Sequence, residues 1–382
     1  MRNRFDMDYR KIPSNDKEIS TIGIGGSKLH TMSVQELKEV FSTASESGIN
    51  IIDLATENRE VFKRVGQALG DKRGQFMLSL HLGLTFQKDG QYKRTRNVDE
   101  VKAGFERQLA ALGTDYADIG YIHYVDDFKD FENVYKSGTY DFACELKEKG
   151  IIRNLGFASH QAEIAKAFLD KGGFDLFMFS INPAYDLDPV KNNPLEKDLS
   201  SQDALQVAQE RSDLYRLAQK KGVGITVMKA LGAGRLLSKT ASPFKKALTT
   251  TQCIQYSLDR PSVLSCMIGV SSVNDLNSLL CYYTADKSER DYSMIADGQF
   301  KEMRGECVYC NHCLPCPSSI DIASVNKFLD LAESGDQLAG QHYLLLDHKA
   351  SECIECGSCE RNCPFDVTVI KKMKKAVELF GI

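Results

Sequence analysis

The sequence predicts an α/β fold: a (β/α)8 barrel of the TIM type followed by a small cysteine-rich C-terminal domain. Three observations carry this. Eight short apolar runs alternate with amphipathic stretches over about the first 290 residues, the size and count of such a barrel. The runs are nearly continuous in apolar residues, as strands buried on both faces require. Eight of the twelve cysteines lie between Cys307 and Cys363, while Cys144, Cys253, Cys266 and Cys281 are scattered through the body. The predicted domains are therefore 1–290 and 291–382, joined within the polar stretch 284–306.

The predicted strands are STIGIGG (20–26), INIIDLA (49–55), FMLSLHL (76–82), ADIGYIHY (117–124), RNLGFAS (153–159), DLFMFSIN (175–182), GITVMKA (224–230) and SCMIGVS (265–271). Helices between them have readable ends. Ser33 with Glu36 forms a capping box that opens one helix, and Gly48 stops it. Asn97 with Glu100 opens another that stops at Gly113, while Gly150 and Gly222 close two more. Strands alternating with helices imply right-handed parallel crossovers. An open doubly wound sheet is the alternative, but no GxGxxG turn follows the first strand. GIGGS (23–27) reads instead as a tight strand-end turn. The polar segment 186–203, with two prolines, reads either as a lid over the barrel mouth or as a surface insertion.

Composition narrows the function classes. Hydrophobic residues at 42% and charged residues at 26% exclude wholesale disorder. A net charge of −4 gives no electrostatic case for nucleic acid or an anionic membrane. No apolar run approaches the roughly 18 residues that span a bilayer. The opening MRNRFDMDYRKIP has no apolar core of a signal peptide, so a cytoplasmic chain is expected.

The cysteines form two runs. The first is Cys307-x2-Cys310-x2-Cys313-x2-Cys316-Pro317, and the second is Cys353-x2-Cys356-x2-Cys359-x3-Cys363-Pro364. Three cysteines at this interval let one tight loop offer three thiolates to one [4Fe–4S] cube, and the fourth, before proline, reaches the other cluster. Cys307, Cys310, Cys313 and Cys363 would hold one cluster, and Cys353, Cys356, Cys359 and Cys316 the other. Structural zinc is the competing reading, but it needs neither the third cysteine nor the Cys-Pro in two copies. The tail thus reads as a two-cluster, ferredoxin-like module, with IDIASVNKFLDLAESG (320–335) as a helix inserted between the runs.

Barrel chemistry sits where strands end at their C-terminal edge. That edge supplies Asp53, His81, His123, Ser159, His160, Asn182, Lys229 and Gly269. The basic stretch QYKRTR (91–96) reads as a solvated loop before a helix, or as a clamp for a substrate carboxylate or phosphate.

Several segments resemble the aldo/keto reductase family, in order and over almost the whole chain. GINIIDLATENREVFKRVGQAL resembles the segment that starts at its catalytic aspartate, and TDYADIGYIHY the one that ends in its catalytic histidine. IIRNLGFASH resembles the strand whose end contacts the nicotinamide, and SCMIGVSSVNDL the turn that binds cofactor phosphate. Barrel plus tail resembles the branch with a C-terminal 4Fe–4S ferredoxin domain. The family's catalytic tetrad is aspartate, tyrosine, lysine and histidine. The resemblance puts Asp53 and His123 at the aspartate and histidine positions, but Asn58 at the tyrosine and His81 at the lysine. Asn58 has no phenolic proton to donate. His81 beside Asp53 is then the candidate general acid, with His123 orienting the substrate oxygen or acting as the acid itself. Ser159, His160, Asn182, Lys229 and Gly269 are the candidate cofactor contacts.

The expectation is an oxidoreductase reducing or oxidising a small carbonyl or activated alkene at the barrel mouth, with electrons passing through two [4Fe–4S] clusters. Clusters pass single electrons and a nicotinamide delivers two together, so NAD(P)H or a flavin stays open as a further cofactor. A ferredoxin or flavodoxin is the candidate electron donor. Two rivals stand beside this: an electron-transfer protein with an inactive barrel, and a metal-assisted enzyme using Asp53, His81 and His123 as ligands.

Overall fold

The computed structural model describes residues 7–55, 59–86, 92–187, 209–295, 307, 313, 316–333, 339–363 and 367–382. All eight predicted strands form. They are β1 (Ile22–Gly25), β2 (Ile51–Leu54), β3 (Met77–Leu82), β4 (Ala117–Ile122), β5 (Ile152–Ser159), β6 (Leu176–Ser180), β7 (Gly224–Met228) and β8 (Val263–Gly269). They close in sequence order into one barrel whose neighbouring strands are all parallel. The open-sheet alternative is excluded by the β8–β1 pairing, where Gly269 stands opposite Gly25.

Eight helices follow the strands in turn: α1 (Val34–Glu46), α2 (Arg59–Leu69), α3 (Val98–Leu112), α4 (Thr139–Glu148), α5 (Ala162–Lys171), α6 (Gln209–Lys221), α7 (Thr250–Leu258) and α8 (Val273–Thr284). Their ends follow local chemistry. The Ser33 hydroxyl accepts the Glu36 amide at 3.3 Å while the Glu36 carboxylate accepts the Ser33 amide at 2.7 Å, satisfying two backbone donors that the helix cannot pair. The Asn97 side chain accepts from the Asp99 and Glu100 amides at 3.1 and 3.2 Å. Gly113, at φ 69°, ends α3 in the left-handed region that a side chain resists.

Packing outside the sheet is partly aromatic. Phe157 of β5 stacks on Phe168 of α5 at 4.5 Å and on Phe177 of β6 at 5.0 Å, which fixes that helix against two strands. Inside, the strand starts are filled by Ile51, Ile119, Leu176, Met178 and Leu264 together with Tyr121. Ile12 and Ile19 complete this core from an antiparallel hairpin, Tyr9–Lys11 with Glu18–Ser20, which the sequence reading did not anticipate. The floor of the barrel is thus closed largely by apolar side chains.

The stretch 91–96 corrects the expectation of a loop. Tyr92–Arg94 is a strand paired antiparallel with Leu84–Phe86. Arg96 is buried and grips Asp130 with two guanidinium nitrogens at 2.9 and 2.8 Å. It is a clamp on the protein's own helix Phe128–Lys136. The proposed lid begins at Asp186, and most of it, 188–203, lies outside the described residues.

The chain divides into two compact units, the second containing Ser293–Ile382 and Ser238–Ala247. Within it, α9 (Ile322–Glu333) is the helix expected between the cysteine runs, and α10 (Val369–Phe380) closes the chain. Its core gathers Ile320, Ile322, Val325, Leu329, Tyr343, Val369 and Met373 around the cysteines.

Candidate active site

Three strand ends meet in one buried chain of polar groups. Asp53 on β2 lies opposite Ser79 on β3, and the Ser79 hydroxyl donates to Asp53 Oδ1 at 2.6 Å. His81, two residues further along β3 and so on the same face, turns Nε2 toward the same oxygen at 3.0 Å. His81 Nδ1 faces His123 Nδ1 at 3.0 Å, just beyond the end of β4. All four side chains are buried, with His81 1% exposed. Charged or polar groups this deep are tolerated only when they satisfy one another, and here each link does so.

The tautomers follow from these contacts. A carboxylate only accepts, so His81 must place its Nε2 proton toward Asp53. One proton then lies between the two Nδ1 atoms. Burial first, and then electrostatic repulsion from His81, Arg96, Arg94 and His160, hold His123 well below the usual histidine range. At neutral pH His123 is therefore an uncharged imidazole. With His81 also neutral, His123 donates from Nδ1 and its Nε2 is a base. With the shared proton on His81 Nδ1 instead, His123 carries its own proton on Nε2 as an acid.

A ring of supporting groups holds this chain. Tyr121 packs its ring 5.4 Å from that of His81 and bonds Thr226 through its hydroxyl at 2.8 Å. Burial pushes that phenol well above its ordinary value, so it stays protonated. Gln108 donates to the His81 and Leu84 carbonyls at 3.1 and 2.9 Å, and Arg96 donates to the His123 carbonyl at 2.6 Å. Gly26 lets β1 pass close by, since a Cβ there would stand 2.7 Å from the Asp53 carbonyl.

A second histidine–carboxylate pair stands on the same rim. His160 Nδ1 meets Asp126 Oδ2 at 2.8 Å, while Asp126 Oδ1 accepts the His160 amide at 2.7 Å and the Ser159 hydroxyl at 3.2 Å. Burial alone would raise the Asp126 pKa, but the His160 charge and these hydrogen bonds outweigh it and hold it at about 2. The Tyr124 ring lies between the two histidine sites, edge-on to His123 at 5.0 Å and to His160 at 5.6 Å.

The remaining candidates divide by place. Asn182 donates to the Lys229 carbonyl at 2.9 Å and accepts the Tyr185 amide at 3.1 Å, so its amide ties the β6 and β7 ends together. Lys229 itself takes φ 59°, a left-handed turn directly after β7. Gly269 ends β8 where a Cβ would overlap the Ser27 hydroxyl. Asn58 and Cys310 lie outside the described residues. The sequence reading missed Ser79, Tyr121 and Asp126. Ser79 was within reach of it, being two residues before His81 on one strand face. Asp126 lies in the loop after β4 and carries no signal in the sequence.

The cysteines can be tested against the clusters their spacing implies. Cys313 and Cys359 belong to the core of the second unit, and Cys307, Cys316, Cys353 and Cys363 pack against it. Cys356 is exposed. Among the described residues no three of these side chains converge as an ion site. The donor set nevertheless fits two cubes in kind, since soft thiolates from both runs share one apolar neighbourhood.

A closed parallel barrel with its titratable groups on the C-terminal rim is the architecture of a barrel enzyme. Comparison gives the family. Residues 21–251 match the aldo/keto reductase family and residues 306–368 match a 4Fe-4S dicluster domain. The chain belongs to the aldo/keto reductase family and carries an iron–sulfur domain near its C-terminal end. Among solved structures it is similar to an aldo-keto reductase from Bacillus halodurans in its holo form, at TM-score 0.59 and 21% identity over 76% of this chain and 96% of that one. A glycerol dehydrogenase from Gluconobacter oxydans gives TM-score 0.56 and 16% identity, covering 76% and 94%. An aldo-keto reductase from Klebsiella pneumoniae in complex with NADPH gives 0.51 and 14%, covering 75% and 93%. These likenesses establish the fold. No curated protein matches the chain. No described helix is long and apolar enough to cross a membrane.

Proposed function

We propose that this oxidoreductase acts on a small carbonyl or activated alkene at the barrel mouth, with His123 as its proton-exchanging group. The observation that carries this is the buried chain Asp53–His81–His123. Reduction of a carbonyl to an alcohol takes two electrons and two protons. The two [4Fe–4S] clusters, when bound, supply single electrons; Cys307, Cys310, Cys313 and Cys363 would hold one, and Cys353, Cys356, Cys359 and Cys316 the other. His123 Nε2 gives a proton to the substrate oxygen as the proton on His81 Nδ1 moves to His123 Nδ1. Asp53 holds His81 in place throughout and keeps its Nε2 proton. The step turns the buried Asp53–His81 ion pair into a carboxylate beside a neutral imidazole, so His81 takes a fresh proton from water before the next turnover, and the second proton, to the substrate carbon, also comes from water.

Asn58 and His81 replace the family's tyrosine and lysine in this reading, and the histidine pair does their work. Ser159, His160, Asn182, Lys229 and Gly269 line the same rim as contacts for substrate or for NAD(P)H or a flavin. A ferredoxin or flavodoxin in a reducing cytoplasm fits as electron donor, and 1–290 and 291–382 as the working domains. The metal-assisted reading is weaker, because both His81 nitrogens are turned toward side chains and not toward a common centre.

His81→Ala is expected to lower turnover by about 10²–10⁴, the range of a lost general acid–base group, with iron content unchanged. Unchanged turnover would remove His81 from the mechanism. An anaerobic titration with NADH, NADPH or reduced ferredoxin, following the visible cluster bands, identifies the donor.

A further inference from the structure

The face of α9 that builds the core of the second unit is apolar except at one position. Ile322, Val325 and Leu329 point into that core, and Asn326 stands among them, 0% exposed. Its Nδ2 donates to Cys307 Sγ at 3.3 Å. Its Oδ1 is buried without a hydrogen-bond partner among the described residues. Leaving a buried amide half-satisfied costs about 1–3 kcal/mol. A leucine at this place would fill the same space without that cost, so packing does not account for the amide.

The chemistry of its partner does. A neutral thiol is a weak acceptor, whereas an iron-bound thiolate carries negative charge and accepts strongly. The donor therefore suits Cys307 as a cluster ligand better than as a free thiol. We propose that Asn326 tunes the reduction potential of the cluster that Cys307 holds, donating its side-chain amide to that ligand's sulfur. The inference rests on the cluster reading given above. Reduction adds one electron to the cluster and increases the negative charge on its sulfurs, so an N–H donor stabilises the reduced state more than the oxidised one and raises the potential. Because an amide does not titrate, this contribution is the same across neutral pH. It also distinguishes the two clusters, since one asparagine serves one ligand.

The test is an anaerobic redox titration of the full chain followed by electron paramagnetic resonance, with iron and sulfide measured on each sample. Asn326→Leu keeps the volume and removes the donor. The expected result is full iron content, one potential moved downward and the other unmoved. Should Asn326→Leu fail to retain iron, Asn326→Asp replaces it, being of the same shape; its carboxylate repels the thiolate and moves the same potential downward. Full loading with both potentials unchanged would overturn the proposal alone. Loss of iron from both variants would assign Asn326 a purely structural role and overturn it as well. Wild-type protein that binds no iron would overturn the cluster reading, and the tuning role with it.

Discussion

The barrel and the cysteine-rich unit bury different polar chemistry. Behind β6 and β7, Asp186 is fully buried, yet it accepts from Arg211 Nε at 2.6 Å, from the Tyr215 hydroxyl at 2.6 Å and from the Tyr256 hydroxyl at 3.2 Å. Arg211 also lies 4.6 Å over the Phe179 ring and donates to the Ser180 carbonyl. Every group in that network is answered by another side chain or by the backbone. In the second unit the described interior holds thiols, the Tyr343 hydroxyl, which donates to the Ile382 carbonyl at 2.7 Å, and the Asn326 amide, whose Oδ1 has no partner among the described residues. The barrel also buries polar atoms without a partner among the described residues, Gln108 Oε1 and Arg96 Nη1 among them, but its carboxylates are held by the chain's own cations and hydroxyls. The smaller unit matches a 4Fe-4S dicluster domain, whose clusters would supply atoms that the chain does not encode.

The sharpest way to break that contrast is to remove the iron. Anaerobic chelation should abolish the folding transition of the second unit and open α9 and α10 to protease, since metal-binding free energy is folding free energy in a small domain. The barrel should keep its own transition in the calorimeter. A second unit that stayed protected without iron would end the comparison.

A smaller effect is expected from the barrel side. Arg211→Met leaves Asp186 without its cation in a dry site, and breaking such a pair costs about 3–5 kcal/mol. Urea unfolding should show that loss in the barrel transition, with iron content unaltered. A change below about 1 kcal/mol would mean that the two tyrosines suffice to hold the carboxylate.

The smallest effect is a dependence on pH. His123 has a depressed pKa when folded, so below about 6.5 the unfolded chain takes up a proton that the folded chain refuses. Barrel stability should therefore fall as the pH drops below that value, by at most about 1.4 kcal/mol per pH unit. His123→Gln should flatten this slope between pH 6.5 and 5. An unchanged slope would place the titration on another group.

Legibility of the fold in the sequence follows the same divide. The eight strands were readable because each is an apolar run ended by glycine or a polar cap. The capping box at Ser33 and the stop at Gly113 were readable because their partners are within four residues. The hairpin carrying Ile12 and Ile19 was not, since its strands are three residues long and make sense only against the barrel floor. The stretch 91–96 was misread for a related reason. Three basic residues suggest a solvated loop, and only the fold brings Asp130 to Arg96, 34 positions away.

The site divides likewise. That Asp53, His81 and His123 would share a rim follows from strand order and from where each strand ends, and so does the separation of cysteines from barrel. These are properties of local sequence: burial pattern, chain-terminating caps and ligand spacing act over a few residues. Which histidine nitrogen meets which partner was settled elsewhere. Ser79 and His81 share Asp53 Oδ1, His81 turns its second nitrogen to His123, and Asp126 collects His160 and Ser159 from 34 and 33 residues away. Those contacts depend on how β2, β3, β4 and β5 register when the barrel closes, and closure is a condition on all eight strands at once that no short segment can express.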